Sequence, residues 1–370
     1  MVASDDFRKF TVARKVKEND IITSFYLAPV DGKPLPTFHP GQFLTFRQKI
    51  AGVEEKVTRT YSVSSAASEP NHYRISVKRE PAPVDQPELP AGLFSNYLHN
   101  QLSEGDEILA RGPSGHFYLN EEAERPVVLL SGGIGLTPLV SMAYALVAQA
   151  KRKVWFIHAC ENGAVHAFAD EIKALAEQST DFKHHFCYRK PVAGDVQGKA
   201  YDSEGFVSSA TLQSLLPIGD YEFYLCGPPA FMAAEFENLI ALGVREDRIS
   251  YEFFGPATVL RRTDNESHES SQTVQPIAEV TAVSGDSPLV TFKASNISAQ
   301  WDPKFDSLLD FAESLGLSPD FSCRAGICNT CSCKMESGDV NYSEEPLDEP
   351  ESGSALICCS APVSDLVLDL

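Results

Sequence analysis

Phe321 to Cys331 reads FSCRAGICNTC and places Cys323, Cys328 and Cys331 in a C-x4-C-x2-C run. Three thiolates crowded into one short loop, with a fourth arriving from elsewhere, suit two bridged irons, a [2Fe–2S] centre. Arg324, Ala325 and Gly326 fit such a loop, because small residues let backbone N–H groups approach the sulfides. Structural zinc sites instead pair their cysteines at similar spacing in both halves. The fourth ligand is open between the adjacent Cys358 and Cys359 in ALICCSAP, with Cys333 a further candidate. A centre of this kind passes one electron at a time, so the chain should also hold a supplier of electrons.

Three other stretches could be that supplier. Arg59, Thr60, Tyr61 and Ser62 form an R-x-Y-S pattern. A flavin needs a flat partner for its ring, a cation near its phosphate and hydrogen bonds to its edge, which Tyr61, Arg59 and Ser62 can provide. GLFSNYLH follows, a helix start in which Gly92 and Ser95 leave backbone N–H groups for a pyrophosphate. Next, LLSGGIGLTP ends an apolar strand in a glycine-rich turn, with Thr137 and Pro138 opening a helix. Gly132, Gly133 and Gly135 there permit close approach of a dinucleotide. YLCGPP, with Cys226, Gly227 and Pro228, ends a second strand at the same edge. Cys226 reads either as a lining of the nicotinamide pocket or as a buried strand thiol. Last comes YEFFGP, in which Phe254 can cover the flavin face and Glu252 is its polar neighbour.

These motifs need scaffolds to position them. Residues 1–119 give short alternating stretches broken by Gly and Pro (GQFLTFRQ, RTYSVSS, YRISVKRE), which predicts a small antiparallel β-barrel. Residues 120–256 alternate apolar runs (RPVVLLSGG, KVWFIHAC) with helical patterns (PLVSMAYALVAQA, FADEIKALAEQ). That alternation predicts an α/β doubly wound parallel sheet. Residues 257–275 are polar and poor in aromatics, as in a linker. Residues 276–370 mix short strands, a helix in PKFDSLLDFAESLG and the cysteine loop, an α+β arrangement.

The chain has 370 residues, a net charge of −20 and a sequence pI of about 4.8. That balance argues against nucleic acid or an anionic membrane surface as partner. No apolar leader and no membrane-length run stand out, and nine cysteines without an export signal predict the reducing cytoplasm. From residue 275 to the end, 16 acidic residues stand against 4 basic ones, a net of −12. Such a face can steer a basic electron acceptor and hold it briefly. A solvated acidic surface is the plainer alternative.

RTYSVSS, YRISVKRE, NYLH, GGIGLTP, HACENG, HAFADEI, FYLCGPP and YEFFGP together resemble the reductase half of flavohaemoglobins. More broadly they resemble the ferredoxin–NAD(P)H reductase superfamily, over roughly residues 7 to 260 and in the expected order. The last 95 or so residues resemble a plant-type ferredoxin domain of β-grasp fold, and its L-x-C element favours Cys358 over Cys359. The resemblance implies FAD in the barrel, with FMN the less favoured flavin, and NAD(P)H on the sheet. It puts Phe254 beside the flavin with Glu252 next to it, and it gives the cluster the ligands Cys323, Cys328, Cys331 and Cys358. The globin that precedes this module in flavohaemoglobins has no counterpart here, so no haem is expected.

The implied activity is an NAD(P)H-dependent oxidoreductase passing electrons through flavin and cluster to a partner protein. The similar architectures are reductase components of Rieske-type oxygenases and demethylases, and reductases of hybrid-cluster proteins. A redox sensor is a further alternative, which the nicotinamide loop opposes because a sensor has no need of hydride chemistry. HACENGAVHAF carries no Arg or Lys to meet a 2′-phosphate, which favours NADH over NADPH, although Arg189 and Lys190 lie further on.

Overall fold

The computed structural model describes residues 7–53, 56–82, 91–254, 287–317, 319–321 and 323–370. The chain divides into two compact units, Met1–Phe254 and Gly255–Leu370.

The first unit opens with β1 (Arg8–Lys17), β2 (Ile22–Pro29), β3 (Phe43–Lys49), β4 (Lys56–Ser62), β5 (Tyr73–Lys78), α1 (Leu93–Asn100) and β6 (Glu107–Ser114). The strands form one antiparallel sheet in the order β4-β3-β6-β1-β2-β5. Phe25, Phe46, Val63, Ile75 and Leu98 fill its interior, so α1 closes over the core it shares with the strands. β1 and β6 alternate buried and wetter positions, whereas β2, β3 and β5 carry runs of four or five buried residues, as strands covered on both faces do.

A parallel sheet follows, built from β7 (Val127–Gly132), β8 (Val154–Cys160), β9 (Phe182–Tyr188), β10 (Ser203–Glu204), β11 (Glu222–Gly227) and β12 (Ile249–Phe253). Its order is β10-β9-β8-β7-β11-β12, all parallel. The helices are α2 (Leu136–Gln149), α3 (Ala169–Gln178), α4 (Ser209–Leu215) and α5 (Pro229–Ala241). All six residues of β7 are buried, because helices cover both faces. The chain moves outward from β7 on one side and returns beside it as β11. That reversal leaves a crevice at the carboxyl ends of β7 and β11, where open parallel sheets take their ligands.

A buried latch joins barrel to sheet. Arg74 on β5 places its guanidinium on both oxygens of Glu171 in α3, at 2.8 and 2.7 Å. The same group donates to Ser64 Oγ and to the Ser64 carbonyl, and lies 4.5 Å from the Phe168 ring centroid. Ser141 Oγ of α2 donates to the Ser65 carbonyl at 2.8 Å.

The second unit holds β13 (Leu289–Phe292), β14 (Ile297–Gln300), α5's successor α6 (Leu308–Ser314), β15 (Ser332–Ser337), β16 (Val340–Tyr342), β17 (Ser354–Leu356), β18 (Ser360–Pro362) and β19 (Leu366–Leu368). A mixed sheet runs β14-β13-β19-β15-β17, and β16 pairs with β18. The helix expected across PKFDSLLDFAESLG forms only over α6. Ser307 stops it from starting earlier by accepting the Asp310 N–H at 3.1 Å as N-cap. The linker expected at residues 257–275 lies outside the described residues.

Candidate functional site

The cysteine loop turns through left-handed backbone at Arg324, Gly326 and Asn329, with φ of 50°, 63° and 55°. That winding points successive N–H groups at sulfur. Ala325 N and Ile327 N donate to Cys323 Sγ at 3.5 and 3.3 Å, and Gly326 N donates to Cys358 Sγ at 3.4 Å. Cys323 meets Cys328 and Cys358, and Cys358 also meets Cys331 and its neighbour Cys359. The Cys323 neighbour, followed by burial, pushes the Cys328 thiol well above its ordinary value. Thiols this crowded resist ionising together, and iron removes that cost. Among the described residues no three His, Cys, Asp or Glu side chains close on one point as a mononuclear metal site would. Cys358 stands at the centre of the crowding, in contact with thiols from both sides of the loop.

The two rival thiols sit differently. Cys359 Sγ turns toward the Leu356 carbonyl at 3.7 Å and packs under Gly326, where an added Cβ would lie 2.8 Å from it. Cys333 Sγ faces the carbonyls of Lys334 and Asp369 at 3.8 and 3.7 Å. Arg324 anchors the loop to α6, pairing with Asp310 at 2.9 Å and with Glu313, its guanidinium 4.0 Å from the Phe321 ring centroid. Sequence reasoning gave Arg324 only a place in the loop. The acidic face of α6 could have suggested this tie.

In the barrel, Tyr61 stands beside Phe46 and Phe94, at 5.8 and 6.0 Å between ring centroids. Burial pushes its hydroxyl far above its ordinary range. Ser62 is buried, Thr60 pairs with Thr45 across β3, and Arg59 is exposed, donating to the Thr58 carbonyl at 2.7 Å. Gly92 precedes α1 and has no side chain to cap it. Ser95 Oγ turns back to the Gly92 carbonyl at 3.0 Å, and a Cβ on Gly92 would strike Glu80 and Ser95 at 2.7 and 2.8 Å. No acid stands in the first turn, so its N–H groups fit an anionic group such as a flavin pyrophosphate.

At the crevice, the glycines leave room in two ways. A Cβ on Gly135 would lie 2.3 Å from the Cys226 carbonyl oxygen, so this glycine lets the turn pack on β11. Gly133, at φ +54° with nothing within 4 Å of a built Cβ, faces open space. It fits a dinucleotide pyrophosphate ahead of α2. Thr137 Oγ1 donates to the Ile134 carbonyl at 3.1 Å, and Pro138 is buried in the first turn. Pro228 lies just before α5. The sequence reading missed Phe231. Its ring lies over the ends of both strands, 2.8 and 2.6 Å from Cβ atoms built on Gly132 and Gly227. Its place four residues after Gly227 was the available signal.

Cys226 is wholly enclosed, and burial, with Glu252 opposite it on β12, raises its thiol well above the ordinary value. Glu252 is partly exposed as a residue, yet its Oε2 is enclosed without a hydrogen-bond partner. Burial pushes its carboxyl up to about 8, so it holds its proton at neutral pH. Phe254 packs half-buried against the core of the sheet domain.

A barrel with an uncapped helix start, a switch-point crevice and a three-thiol loop joined by Cys358 define an NAD(P)H-dependent flavin and iron–sulfur oxidoreductase. Known proteins agree. The oxidoreductase FAD-binding domain matches residues 9–118, the oxidoreductase NAD-binding domain residues 129–235, and the 2Fe-2S iron-sulfur cluster binding domain residues 291–363. The flavohemoprotein of Bacillus cereus is 44% identical over 257 residues, 69% of this chain and 63% of its own length. This chain therefore spans less than two thirds of the curated relatives it matches. The flavohem-like FAD/NAD binding domain of Vibrio cholerae nitric oxide dioxygenase is 39% identical, with a TM-score of 0.60 over 68% of this chain and 99% of that one. Phthalate dioxygenase reductase is 26% identical, with a TM-score of 0.55 over 99% of this chain and 98% of its own. The chain belongs to the ferredoxin–NAD(P)H reductase superfamily, in the form that carries a C-terminal [2Fe–2S] domain, and its cofactors are FAD, NADH and [2Fe–2S]. Among the described residues no helix is long and apolar enough to cross a membrane.

Proposed function

We propose that this chain is the reductase component of a multicomponent oxygenase or demethylase of Rieske type, delivering electrons one at a time to a partner protein. The similarity to phthalate dioxygenase reductase carries this reading. It runs through all three parts, and that protein's description is electron transfer from pyridine nucleotides to [2Fe–2S]. The proposed divisions are a flavin barrel at 1–119, a nicotinamide domain at 120–256, a linker at 257–275 and a cluster domain at 276–370.

When bound, the flavin converts a hydride into single electrons and the cluster exports them. The chain's own residues supply position and charge. Tyr61 walls one face of the flavin site. Ser62 borders the ring edge, and Arg59 with the first turn of α1 faces the pyrophosphate. Gly132, Gly133 and Gly135 admit the dinucleotide, and Thr137 and Pro138 shape the helix start beneath it. Phe254 covers the hydride-transfer site, Cys226 floors it, and Glu252 holds a proton at Oε2 beside it. Cys323, Cys328, Cys331 and Cys358 hold the irons.

Glu161, just past β8, favours NADH. A carboxylate there accepts a ribose 2′-hydroxyl and repels a 2′-phosphate. Arg189 is already engaged by Glu161 at 3.4 Å and stacks 5.5 Å from the ring centroid of Phe206, which is 75% exposed.

The acidic surface of the cluster domain steers the acceptor. The test is reduction of a terminal oxygenase by the NADH-fed holoprotein across a salt series. Transfer should weaken as salt rises while NADH oxidation by ferricyanide does not. A salt-independent partner rate would count against steering. Failure of every terminal oxygenase to accept electrons would sink the oxygenase assignment.

A further inference from the structure

One mouth of the barrel holds a groove of about 650 Å³, where the end of β1, the β1–β2 turn, the end of β5 and the C-terminal end of α1 meet. It lies a whole helix length, roughly 12 Å, from the Gly92 end of α1. Lys15, Lys17 and Arg79 face a single acid, Asp20, in a chain whose 51 acids outnumber its 31 bases. A net positive concavity on so acidic a chain calls for a reason.

Each polar group there has a definable state. Lys15 Nζ spends its hydrogens on the carbonyls of Leu98, His99 and Leu102, at 3.3, 2.8 and 2.6 Å, and contributes charge alone. Lys17 meets Asp20 at 2.6 Å and keeps two further N–H donors. Arg79 has an exposed side chain that forms no ion pair or side-chain hydrogen bond among the described residues. Asn19 Oδ1 accepts from Ile21 N and Ile22 N at 3.0 and 2.9 Å. This fixes the amide and leaves Nδ2 enclosed without an acceptor. His99 Nε2 lies 2.8 Å from the Val77 carbonyl, which only accepts, so Nε2 carries hydrogen. Nδ1 then accepts the Thr23 hydroxyl at 3.3 Å.

We propose that this groove binds a small polyanion bearing phosphate or carboxylate oxygens. Arg79 is its principal anchor and Lys17 the second, with the charge of Lys15 behind them. Bound anion also favours protonation of His99, whose ring faces Lys15, Arg79, Thr23 and the Val77 carbonyl, with Phe25 edge-on at 6.3 Å. Once protonated, Nδ1 donates to Thr23 Oγ, which releases the Thr23 hydrogen toward the ligand. Affinity therefore rises as pH falls.

The experiment is calorimetric titration of the FAD- and cluster-loaded protein, saturated with NAD⁺ so that the dinucleotide site is filled. Inorganic pyrophosphate and citrate are the probes, at constant ionic strength. Saturable one-site binding is expected, weakened about tenfold or more by Arg79→Ala and by Lys17→Ala. NADH–ferricyanide turnover should stay unchanged in both variants. After correction for the probes' own protonation, tighter binding at about pH 6 than at about pH 8 should disappear in His99→Asn. Preference for pyrophosphate assigns a phosphate ligand, and preference for citrate a carboxylate one. No saturable heat with either probe, or undiminished binding in Arg79→Ala, overturns the proposal.

Discussion

The nucleotide half and the cluster domain prepare their sites in opposite ways. Around the crevice the chain makes space: Gly135 lets the turn lie on β11, and Gly133 opens onto empty volume. Around the cysteine loop it supplies donors, with three backbone N–H groups aimed at two sulfurs and Arg324 bolting the loop to α6. The difference follows from the chemistry. Hydride transfer needs two flat rings in contact, so its site is a shaped gap. Single-electron transfer tolerates distance but depends on potential, so its site is a cage of dipoles.

The sharpest break of this comparison is at the thiols. Serine in place of Cys323, Cys328, Cys331 or Cys358 should abolish cluster absorbance while NADH–ferricyanide turnover survives. Cys359→Ser and Cys333→Ser should keep the cluster. Retained absorbance in Cys358→Ser with loss in Cys359→Ser would reverse the assignment.

Gly135→Ala should come next, damaging the space-making half alone. Its Cβ would press on the Cys226 backbone, so a loss of about 3 kcal/mol is expected in denaturant unfolding, with cluster signals intact. Arg324→Ala should do the converse. It removes two partly exposed charge pairs and should cost about 1–2 kcal/mol and speed cluster loss under a chelator, leaving NADH affinity alone.

The last prediction is read as a slope against pH and concerns Glu252. Its folded carboxyl is raised to about 8 from 4.5, so its contribution is complete below about pH 4.5 and is lost as pH rises toward 8. The slope it adds is at most about 1.4 kcal/mol per pH unit in that window. Glu252→Gln should flatten the stability profile there, and an unchanged slope would remove the neutral carboxyl from the picture.

Much of this was legible in the sequence because spacing encodes it. The C-x4-C-x2-C run and the glycines after an apolar strand state their geometry within a dozen residues, and β4, β7 and β11 formed where their motifs stood. Choosing between Cys358 and Cys359 on the residues alone was impossible. The two thiols also meet each other, and only the folded turn brings Cys358 onto Cys323. Phe231 was missed because its role lies in a ring bridging two strand ends. The Arg74–Glu171 latch was missed because 97 residues separate the partners.

That latch sets a clock. Breaking a buried, doubly hydrogen-bonded ion pair costs roughly 3–5 kcal/mol. On that figure barrel and sheet spend between about one part in 150 and one in 5,000 of their time hinged apart there. The slow microsecond-to-millisecond breathing by which two-domain enzymes often admit a ligand is thus confined to a small open population. Two part-buried aromatic rings, Phe231 over the strand ends and Phe254, can move without opening that seam, and side-chain reorientation is the faster event. Dinucleotide exchange at the crevice then calls for side-chain movement before it calls for domain opening.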